Sequence, residues 1–281
     1  MNLSSANNVK NILEKFSAKP KKSFGQNFLI DKNILQKIVD ASDIQPNDTI
    51  LEVGPGVGTL TQELAKKAKR VIAVEKDEAM IEILRENSKN FSGQSGPASG
   101  WKNVKIVHED ILRFKMEGDY KVVANIPYYL TSPLIRKFLE EKNPPKEIIL
   151  MIQKEVAERI CAKVPDMNLL AVSVQFYADP KIIFNVSKNC FWPIPKVDSA
   201  IIKITPKSIP DNINPDLFFK VVKAGFSQPR KQIAGNLSKV LKIKKEVVNE
   251  LLLKNNLTSN QRAETLNITD WINLSKDFNL I

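Results

Sequence analysis

The sequence is poor in the residues that bind metal ions or activate nucleophiles. It contains one histidine, His108, and two widely separated cysteines, Cys161 and Cys190. These are too few thiol and imidazole groups for a zinc site, and a Ser-His-Asp hydrolase has no support. We therefore expect chemistry that needs neither a metal ion nor an imidazole.

Long apolar segments are also missing. The longest aliphatic runs, such as residues 148–152, are far too short to cross a bilayer, and the first ten residues lack the apolar core of a signal peptide. Single, widely spaced cysteines are typical of a reducing compartment. We predict a cytoplasmic protein that is not associated with a membrane, and we expect a monomer.

Acidic residues are outnumbered by basic ones. The chain has 42 Lys and Arg against 31 Asp and Glu, which gives a net charge of +11 and an isoelectric point near 9.4. A protein this basic commonly binds a polyanion, and nucleic acid is the leading candidate. A basic surface that only maintains solubility is the alternative that composition leaves open.

Short β-branched runs alternate with helical patterns from residue 49 to about residue 205. This alternation predicts an α/β fold, a mostly parallel sheet covered by helices. We predict seven strands, at residues 49–53, 70–75, 104–108, 121–125, 147–152, 181–186 and 197–204. The predicted helices between them are residues 59–69, 77–90, 132–141 and 154–162.

Two other segments interrupt this pattern. Residues 91–100 are rich in Gly and Ser and predict a surface loop. Three prolines in residues 205–215 precede a tail with helical patterns only, so we predict one domain at residues 1–205 and a small α-helical domain at residues 206–281. From residue 205 to 262 there are eleven Lys or Arg and four Asp or Glu, so much of the positive charge lies in this tail.

A glycine-rich turn follows the first predicted strand. Gly54, Gly56 and Gly58 are spaced G-x-G-x-G, a spacing that lets a ligand approach the backbone and differs from the G-x-G-x-x-G of dinucleotide-binding oxidoreductases. Glu75 ends the second predicted strand, where an acid can accept hydrogen bonds from both ribose hydroxyls. A nicotinamide enzyme could use Glu75 in the same way, and a solvated or helix-capping acid is the plain structural alternative.

Polar residues also end the third and fourth predicted strands. Asp110 follows the third strand, and residues 125–128, Asn-Ile-Pro-Tyr, follow the fourth. Because parallel strands end at one edge of a sheet, we expect these residues to lie with Gly54 and Glu75 at the edge where open α/β sheets bind ligands. The Asn125 amide can accept from an exocyclic amine, and the Tyr128 ring can stack on a flat base. By itself the tetrapeptide is also typical of a turn with a packed aromatic.

Together these motifs resemble the S-adenosylmethionine-dependent methyltransferases that modify an adenine amine. Four further segments resemble the small-subunit (16S) ribosomal RNA adenine dimethyltransferases, the KsgA/RsmA family: residues 23–31 (SFGQNFLID), 153–156 (QKEV), 191–200 (FWPIPKVDSA) and 262–266 (RAETL). The resemblance covers about residues 20–275. It implies a Rossmann-like class I methyltransferase with a seven-stranded, mostly parallel sheet.

The resemblance also implies an activity and a set of functional residues. The activity is the transfer of methyl groups to the N6 atoms of two adjacent adenines in a small-subunit ribosomal RNA hairpin, on a pre-small-subunit particle, during ribosome biogenesis. The implied contacts of S-adenosylmethionine are Asn27, Leu29, Gly54, Gly56, Glu75, Asp110 and Asn125. The implied catalytic residues are Asn125, Ile126, Pro127 and Tyr128, with Phe191 as the second stacking face for the target adenine or, alternatively, a core residue. The basic residues that we expect to contact RNA are Lys21, Lys22, Arg230, Lys231 and Lys239.

The sequence departs from the family pattern at a few positions. Pro229 and residues 234–235 (Ala-Gly) stand where basic residues are common, and Tyr129 stands where Asn is common, so we expect altered RNA docking and a changed pocket wall with the same reaction. Three alternatives stay open. They are a large-subunit ribosomal RNA methyltransferase, a non-catalytic transcription or assembly factor on the same fold, and a nicotinamide-dependent oxidoreductase.

Overall fold

The computed structural model describes residues 3–21, 24–89, 100–209 and 212–278 of the chain. The predicted loop at residues 91–100 lies outside the described residues apart from Gly100. Lys22, a predicted RNA contact, also lies outside them.

The described residues form short strands and helices that alternate through the first three quarters of the chain. The strands are β1 Phe28–Leu29, β2 Thr49–Val53, β3 Arg70–Glu75, β4 Val104–His108, β5 Lys121–Asn125, β6 Glu147–Gln153, β7 Ala178–Val186, β8 Phe191–Trp192 and β9 Ser199–Pro206. The helices are α1 Ala6–Lys15, α2 Lys32–Ala41, α3 Thr61–Lys67, α4 Glu78–Lys89, α5 Thr131–Glu140, α6 Lys154–Ile160, α7 Leu169–Tyr177, α8 Pro215–Gly225, α9 Ile233–Leu241, α10 Lys245–Lys254 and α11 Ile268–Phe278.

Seven of the strands form one sheet in the order β4-β3-β2-β5-β6-β9-β7. The first five strands in this order are parallel, and β9 runs antiparallel to β6. The central strand β2 is fully buried at Ile50 and Leu51, as expected for a parallel sheet with helices on both faces. The predicted fold class is therefore confirmed, and the bounds of β2 to β5 are those that the sequence predicted.

The chain order reverses between β2 and β5. The chain passes from β2 outward through β3 to β4, and then returns to place β5 on the other side of β2. A crevice opens beside the carboxyl ends of the strands at such a reversal. This crevice holds the candidate site.

The amino-terminal segment adds a second, two-stranded sheet. Antiparallel β1 and β8 pair Phe28 with Trp192 and Leu29 with Phe191. Asp31 caps the start of helix α2, because its side chain accepts hydrogen bonds from the amides of Asn33 and Ile34. This pairing fixes residues 24–31 beside the crevice.

The chain divides into two compact units. The first comprises Met1–Ala157 and Lys181–Pro206, and the second comprises Glu158–Pro180 and Lys207–Ile281. The predicted boundary after residue 205 therefore assigns residues 158–180 differently from the structure. The physical reason is α7, because its Phe176 stacks on Phe218 of α8 with ring centroids 4.1 Å apart.

The second unit has its own hydrophobic core. Buried residues of α7, α8, α9, α10 and α11 form this core, with Trp271 fully buried among them. Helices α8 to α11 agree with the all-helical tail that the sequence predicted. Within the described ranges, no helix is long and apolar enough to span a membrane.

Candidate active site

A pocket of the first unit lies where β2, β3, β4 and β5 end. It brings together all the residues predicted to bind the methyl donor or to catalyse the reaction, namely Asn27, Leu29, Gly54, Gly56, Glu75, Asp110, Asn125, Ile126, Pro127, Tyr128 and Phe191. Tyr129 also lines this pocket, as expected from its position in the motif, and so do Glu52 and Lys76, which the sequence patterns did not assign to it.

The glycine turn provides one wall of the pocket. Gly54 and Gly56 have backbone φ angles of +64° and +56°, which residues other than glycine rarely adopt. A Cβ atom at Gly56 would lie 3.2 Å from the Phe28 ring. The turn therefore requires glycine both for its backbone conformation and for the close approach of β1.

The Glu75 carboxylate is held at the end of β3 by backbone amides. Its Oε1 accepts from Lys76 N at 2.8 Å and Asp77 N at 2.9 Å, and its Oε2 accepts from Gly56 N at 3.2 Å. Burial raises the pKa of Glu75, while the three amides oppose this effect. The amides fix the orientation of the carboxylate and connect it directly to the glycine turn.

A second buried acid lies next to Glu75. Glu52 on β2 is 1% exposed, and its Oε2 has no hydrogen-bond partner within the described part of the chain. The pKa of Glu52 is raised to about 8, chiefly by burial and to a smaller extent by the charge of Glu75. A cationic ligand group in the pocket would compensate this carboxylate. The signal in the sequence was a single acid inside an otherwise apolar strand, TILEV.

Asp110 is part of an ion pair at the mouth of the pocket. Its Oδ2 accepts from Lys76 Nζ at 2.8 Å and its Oδ1 accepts from Leu112 N at 3.0 Å. The hydrogen bond from Lys76, and then that from Leu112, lower the pKa of Asp110. The carboxylate is therefore ionised at neutral pH, and each oxygen can accept a further hydrogen bond.

The Asn125 side chain is oriented by the amino-terminal segment. Asn125 Nδ2 donates to the backbone oxygen of Asn27 at 3.2 Å, and the Asn27 side chain donates to Gly25 O at 3.1 Å. Because a backbone oxygen only accepts, the amide nitrogen must face Asn27. Asn125 Oδ1 is thereby available as an acceptor in the pocket.

Tyr128 is anchored through its hydroxyl group. Its Oη lies 2.9 Å from Oγ of the fully buried Ser199 on β9. Burial raises the pKa of Tyr128, so the phenol is neutral and the hydrogen bond holds the ring in place. Ser199 lies in the PKVDSA segment, but its contact with Tyr128 was not predictable from spacing.

Phe191 lines the same pocket as Tyr128. It is 2% exposed, pairs with Leu29 across β1 and β8, and belongs to the core cluster of the first unit. The ring therefore packs in the core and also lines the pocket, and its role as a stacking face for the target adenine stays a prediction.

The predicted RNA contacts lie in different environments. Lys21 Nζ donates to the buried Asp77 at 2.7 Å, so its charge is already paired. Arg230 and Lys231, between α8 and α9, and Lys239 on α9 are exposed residues of the second unit. No group of three or more His, Cys, Asp or Glu residues able to hold a metal ion occurs in the described ranges.

The sheet order and the position of this pocket define the class of protein. A doubly wound sheet with a glycine turn after its first strand, and with acids at the ends of the next two, is the architecture of a class I methyltransferase.

The comparisons with known proteins assign the family. The family model of the ribosomal RNA adenine dimethylases matches residues 17–274, and the chain belongs to this family. A ribosomal RNA small subunit methyltransferase A of Dehalococcoides mccartyi is 41% identical over 96% of this chain and 92% of its own length. The predicted recognition is therefore confirmed, and the chain is an enzyme of the methyltransferase class.

Two solved structures have the same fold. A dimethyladenosine transferase from Plasmodium falciparum has 28% sequence identity and a TM-score of 0.76, over 89% of this chain and 96% of its own. The 23S rRNA methyltransferase ErmE has 25% identity and a TM-score of 0.72, over 90% of this chain and 100% of its own.

Proposed function

We propose that this protein transfers methyl groups from S-adenosylmethionine to N6 of two adjacent adenines in a small-subunit ribosomal RNA hairpin. The product is N6,N6-dimethyladenine, formed on a pre-small-subunit particle during ribosome biogenesis. The observation that carries the proposal is the Asn125 amide, which lines a pocket shared with Tyr128 and the acids at the strand ends and whose nitrogen donates to Asn27, so that its oxygen is left to accept a hydrogen bond.

The pocket residues fit S-adenosylmethionine, which supplies an electrophilic methyl group on a sulfonium. Glu75 accepts from the ribose hydroxyls, and Asp110 accepts from the exocyclic amine of the cofactor adenine. The unpaired Oε2 of Glu52 suits the positive charge of the methionine end. Asn27, Leu29 and the turn glycines, Gly54 and Gly56, form the walls around that end.

The target adenine must leave its stack to reach this pocket. An enzyme that modifies a base atom extrudes the base, because the atom cannot be reached while the base is stacked. The anchored Tyr128 ring offers one stacking face, and Phe191, which lines the same pocket, is the candidate for the second. Pro127 fixes the backbone between Asn125 and Tyr128.

The amine of adenine is a weak nucleophile because its lone pair is delocalised into the ring. Asn125 Oδ1 and the Ile126 carbonyl accept hydrogen bonds from the two amine protons and draw the nitrogen toward tetrahedral geometry. The lone pair then points at the methyl group. After transfer the nitrogen is cationic and acidic, so a proton can pass to water and no strong base is needed. A second cycle on the monomethylated amine gives the dimethylated product.

The RNA is held by phosphate contacts outside the pocket. The exposed cations Arg230, Lys231 and Lys239 of the helical unit can position RNA without reading its sequence. We propose that this unit is the RNA-binding domain, that Lys21 and Lys22 add contacts at the amino-terminal segment, and that the enzyme acts as a cytoplasmic monomer.

Transfer of labelled methyl groups to undermethylated small-subunit particles tests the proposal. Asn125→Ala and Tyr128→Ala should each abolish transfer and leave the circular dichroism spectrum unchanged. Asn33→Ala is the matched control, because Asn33 is exposed on α2 and does not line the pocket. Transfer that persists in Asn125→Ala would contradict the mechanism.

A large-subunit RNA substrate is the second candidate, since the ErmE structure has the same fold over nearly the whole chain. Offering both subunits in one reaction separates the two possibilities. Label only in large-subunit RNA would overturn the substrate proposal and keep the chemistry. Binding of RNA without any transfer by the wild-type protein would favour a non-catalytic assembly factor.

A further inference from the structure

A second cavity of the first unit adjoins the pocket and takes no part in the steps above. We call it the lateral groove; it is lined by residues of α1 and by residues 17–20, 25–27, 128, 153 and 192–197. Its cavity volume is about 1140 Å³, which is ample for a nucleotide. Gly25, Gln26, Asn27 and Tyr128 line both cavities, so the groove continues directly from the place proposed for the target adenine.

The two aromatic residues of β8, Phe191 and Trp192, lie on opposite faces of the small β1–β8 sheet. Neighbouring residues of a strand point to opposite faces. Phe191 lines the pocket, and the next residue, Trp192, lines the groove. Tyr128, at the junction, serves both cavities.

The Trp192 ring is held as a platform. It stacks on Phe28 with an interplanar angle of 20° and centroids 6.5 Å apart, and it is partly exposed. The ammonium of Lys10 lies 5.5 Å from the indole centroid. Lys10 is exposed and its aliphatic side chain is flexible, so a base can displace the ammonium from the indole ring. The displaced ammonium can then pair with a phosphate of the RNA.

The rest of the groove combines apolar contacts with positive charge. Ile194 and Val197 line the groove and are 62% and 43% exposed, so they offer apolar surface to a ligand there. Three exposed cations, Lys10, Lys19 and Lys196, line the groove together with one acid, Glu14. An aromatic platform within a positively charged groove is typical of single-stranded nucleic acid binding.

From this continuity, charge and stacking surface, we propose that the lateral groove binds the unpaired ribonucleotide next to the target adenine, with its base on Trp192. The inference rests on the proposed function, because it requires an RNA strand that presents one base to the pocket. It assigns to Trp192 a role in substrate binding that the motifs did not indicate.

Tryptophan fluorescence tests this inference directly. Trp101 and Trp271 are 7% and 0% exposed, so of the three tryptophans only Trp192 is positioned to stack with an added base. A synthetic hairpin with two adjacent loop adenines should quench the emission of wild-type protein. Trp192→Phe should remove this quenching, because phenylalanine lacks the indole emission that a stacked base would quench.

Steady-state kinetics on undermethylated particles provide the second test. Trp192→Ala should raise KM for the RNA substrate roughly tenfold, the size of one stacking contact, and leave the dissociation constant of S-adenosylmethionine unchanged. Ile194→Ser, at an exposed position that is not needed for folding, should raise the same KM by a smaller factor. The control is Ile183→Ala on β7, which is 37% exposed and lines neither cavity.

The outcomes separate this inference from the proposed function. Normal methyl transfer by wild-type protein, with no quenching and with Trp192→Ala equal to Ile183→Ala, would overturn the inference alone. Quenching by a ribosomal protein instead of RNA would assign the groove to a protein and overturn it as well. A wild-type protein that does not methylate RNA would overturn the proposed function and this inference together.

Discussion

Replacing Glu52 by glutamine should remove a large pH dependence of stability. Glu52 is 1% exposed on the central strand, and burial raises its pKa from the ordinary value of 4.5 to about 8. The folded protein therefore keeps a proton on this group up to about pH 8, while the unfolded chain loses it near pH 4.5. The free energy of unfolding must fall as the pH rises through this window, because the unfolded state binds fewer protons there.

The size of the effect follows from the two pKa values. At about 1.4 kcal/mol per pH unit, the interval between 4.5 and about 8 amounts to at most about 5 kcal/mol. Glutamine has nearly the same shape as glutamate and carries no charge at any pH. The variant therefore does not show the fall in free energy of unfolding that Glu52 causes in wild type as the pH rises. The difference between variant and wild type should be small near pH 5 and should approach its full value above about pH 8.

Urea unfolding at a series of pH values, followed by circular dichroism, measures this difference. Other titrating groups are common to both proteins and largely cancel in the comparison. Glu117→Gln is the control for the substitution itself, because Glu117 is exposed and its replacement should cost little stability. Parallel stability curves for wild type and Glu52→Gln from about pH 5 to about pH 9 would refute the reasoning.

The remaining predictions concern packing, positioning and one ion pair whose acid is buried. Gly58→Ala should destabilise by about 2 to 4 kcal/mol, because a Cβ atom there would lie 2.6 Å from the Trp101 ring and 2.9 Å from Leu84 Cδ1 at a φ of +91°. Gly118→Ala shares the positive φ but meets nothing within 4 Å, so a cost as large as that of Gly58→Ala in urea unfolding would disprove the steric argument. Ser199→Ala frees the Tyr128 hydroxyl and should lower kcat roughly tenfold with the affinity for S-adenosylmethionine unchanged. A parallel loss of that affinity, measured by calorimetry, would point to general misfolding. Asp77→Asn weakens the hydrogen bonds from Lys21 at 2.7 Å and Gln26 at 2.9 Å and should cost about 2 kcal/mol in urea unfolding. Asp119 forms an ion pair with Lys146, and its side chain is 79% exposed, so Asp119→Asn should cost well under about 1 kcal/mol. Equal losses of stability in Asp77→Asn and Asp119→Asn would argue against a special role for the buried Asp77.

The central strands were predictable because short apolar runs in the sequence indicate buried strands. Strands β2, β3 and β5 are short, largely buried runs that end at or just before a glycine, an acid or an amide. The observed bounds of β2 to β5 equal the predicted ones. Helix α7 was missed because its sequence, LLAVSVQFY, is apolar on all sides and has no helical polar face. The missing helix is also the reason why the boundary after residue 205 left residues 158–180 in the wrong unit.

Much of the candidate site was predictable from one rule of topology. Parallel strands end at a common edge, so Gly54, Glu75, Asp110 and Asn125 had to lie near one another once the strands were assigned. The electrostatics of these residues were not predictable. The pairing of Asp110 with Lys76 and the isolation of Glu52 depend on which groups the folded chain brings within reach.

The sequence by itself determined which strand each functional residue follows, where the glycine turn lies and which family the chain resembles. These features depend only on local patterns and on spacing along the chain. Only the tertiary structure decided how each functional side chain is held. Asn125 is oriented by Asn27, 98 residues away, and Tyr128 by Ser199, 71 residues away. Trp192 faces a groove while Phe191 faces the pocket because β8 pairs with a distant strand, β1. Spacing along the chain does not specify which distant residues meet, so these contacts could be identified only in the folded structure.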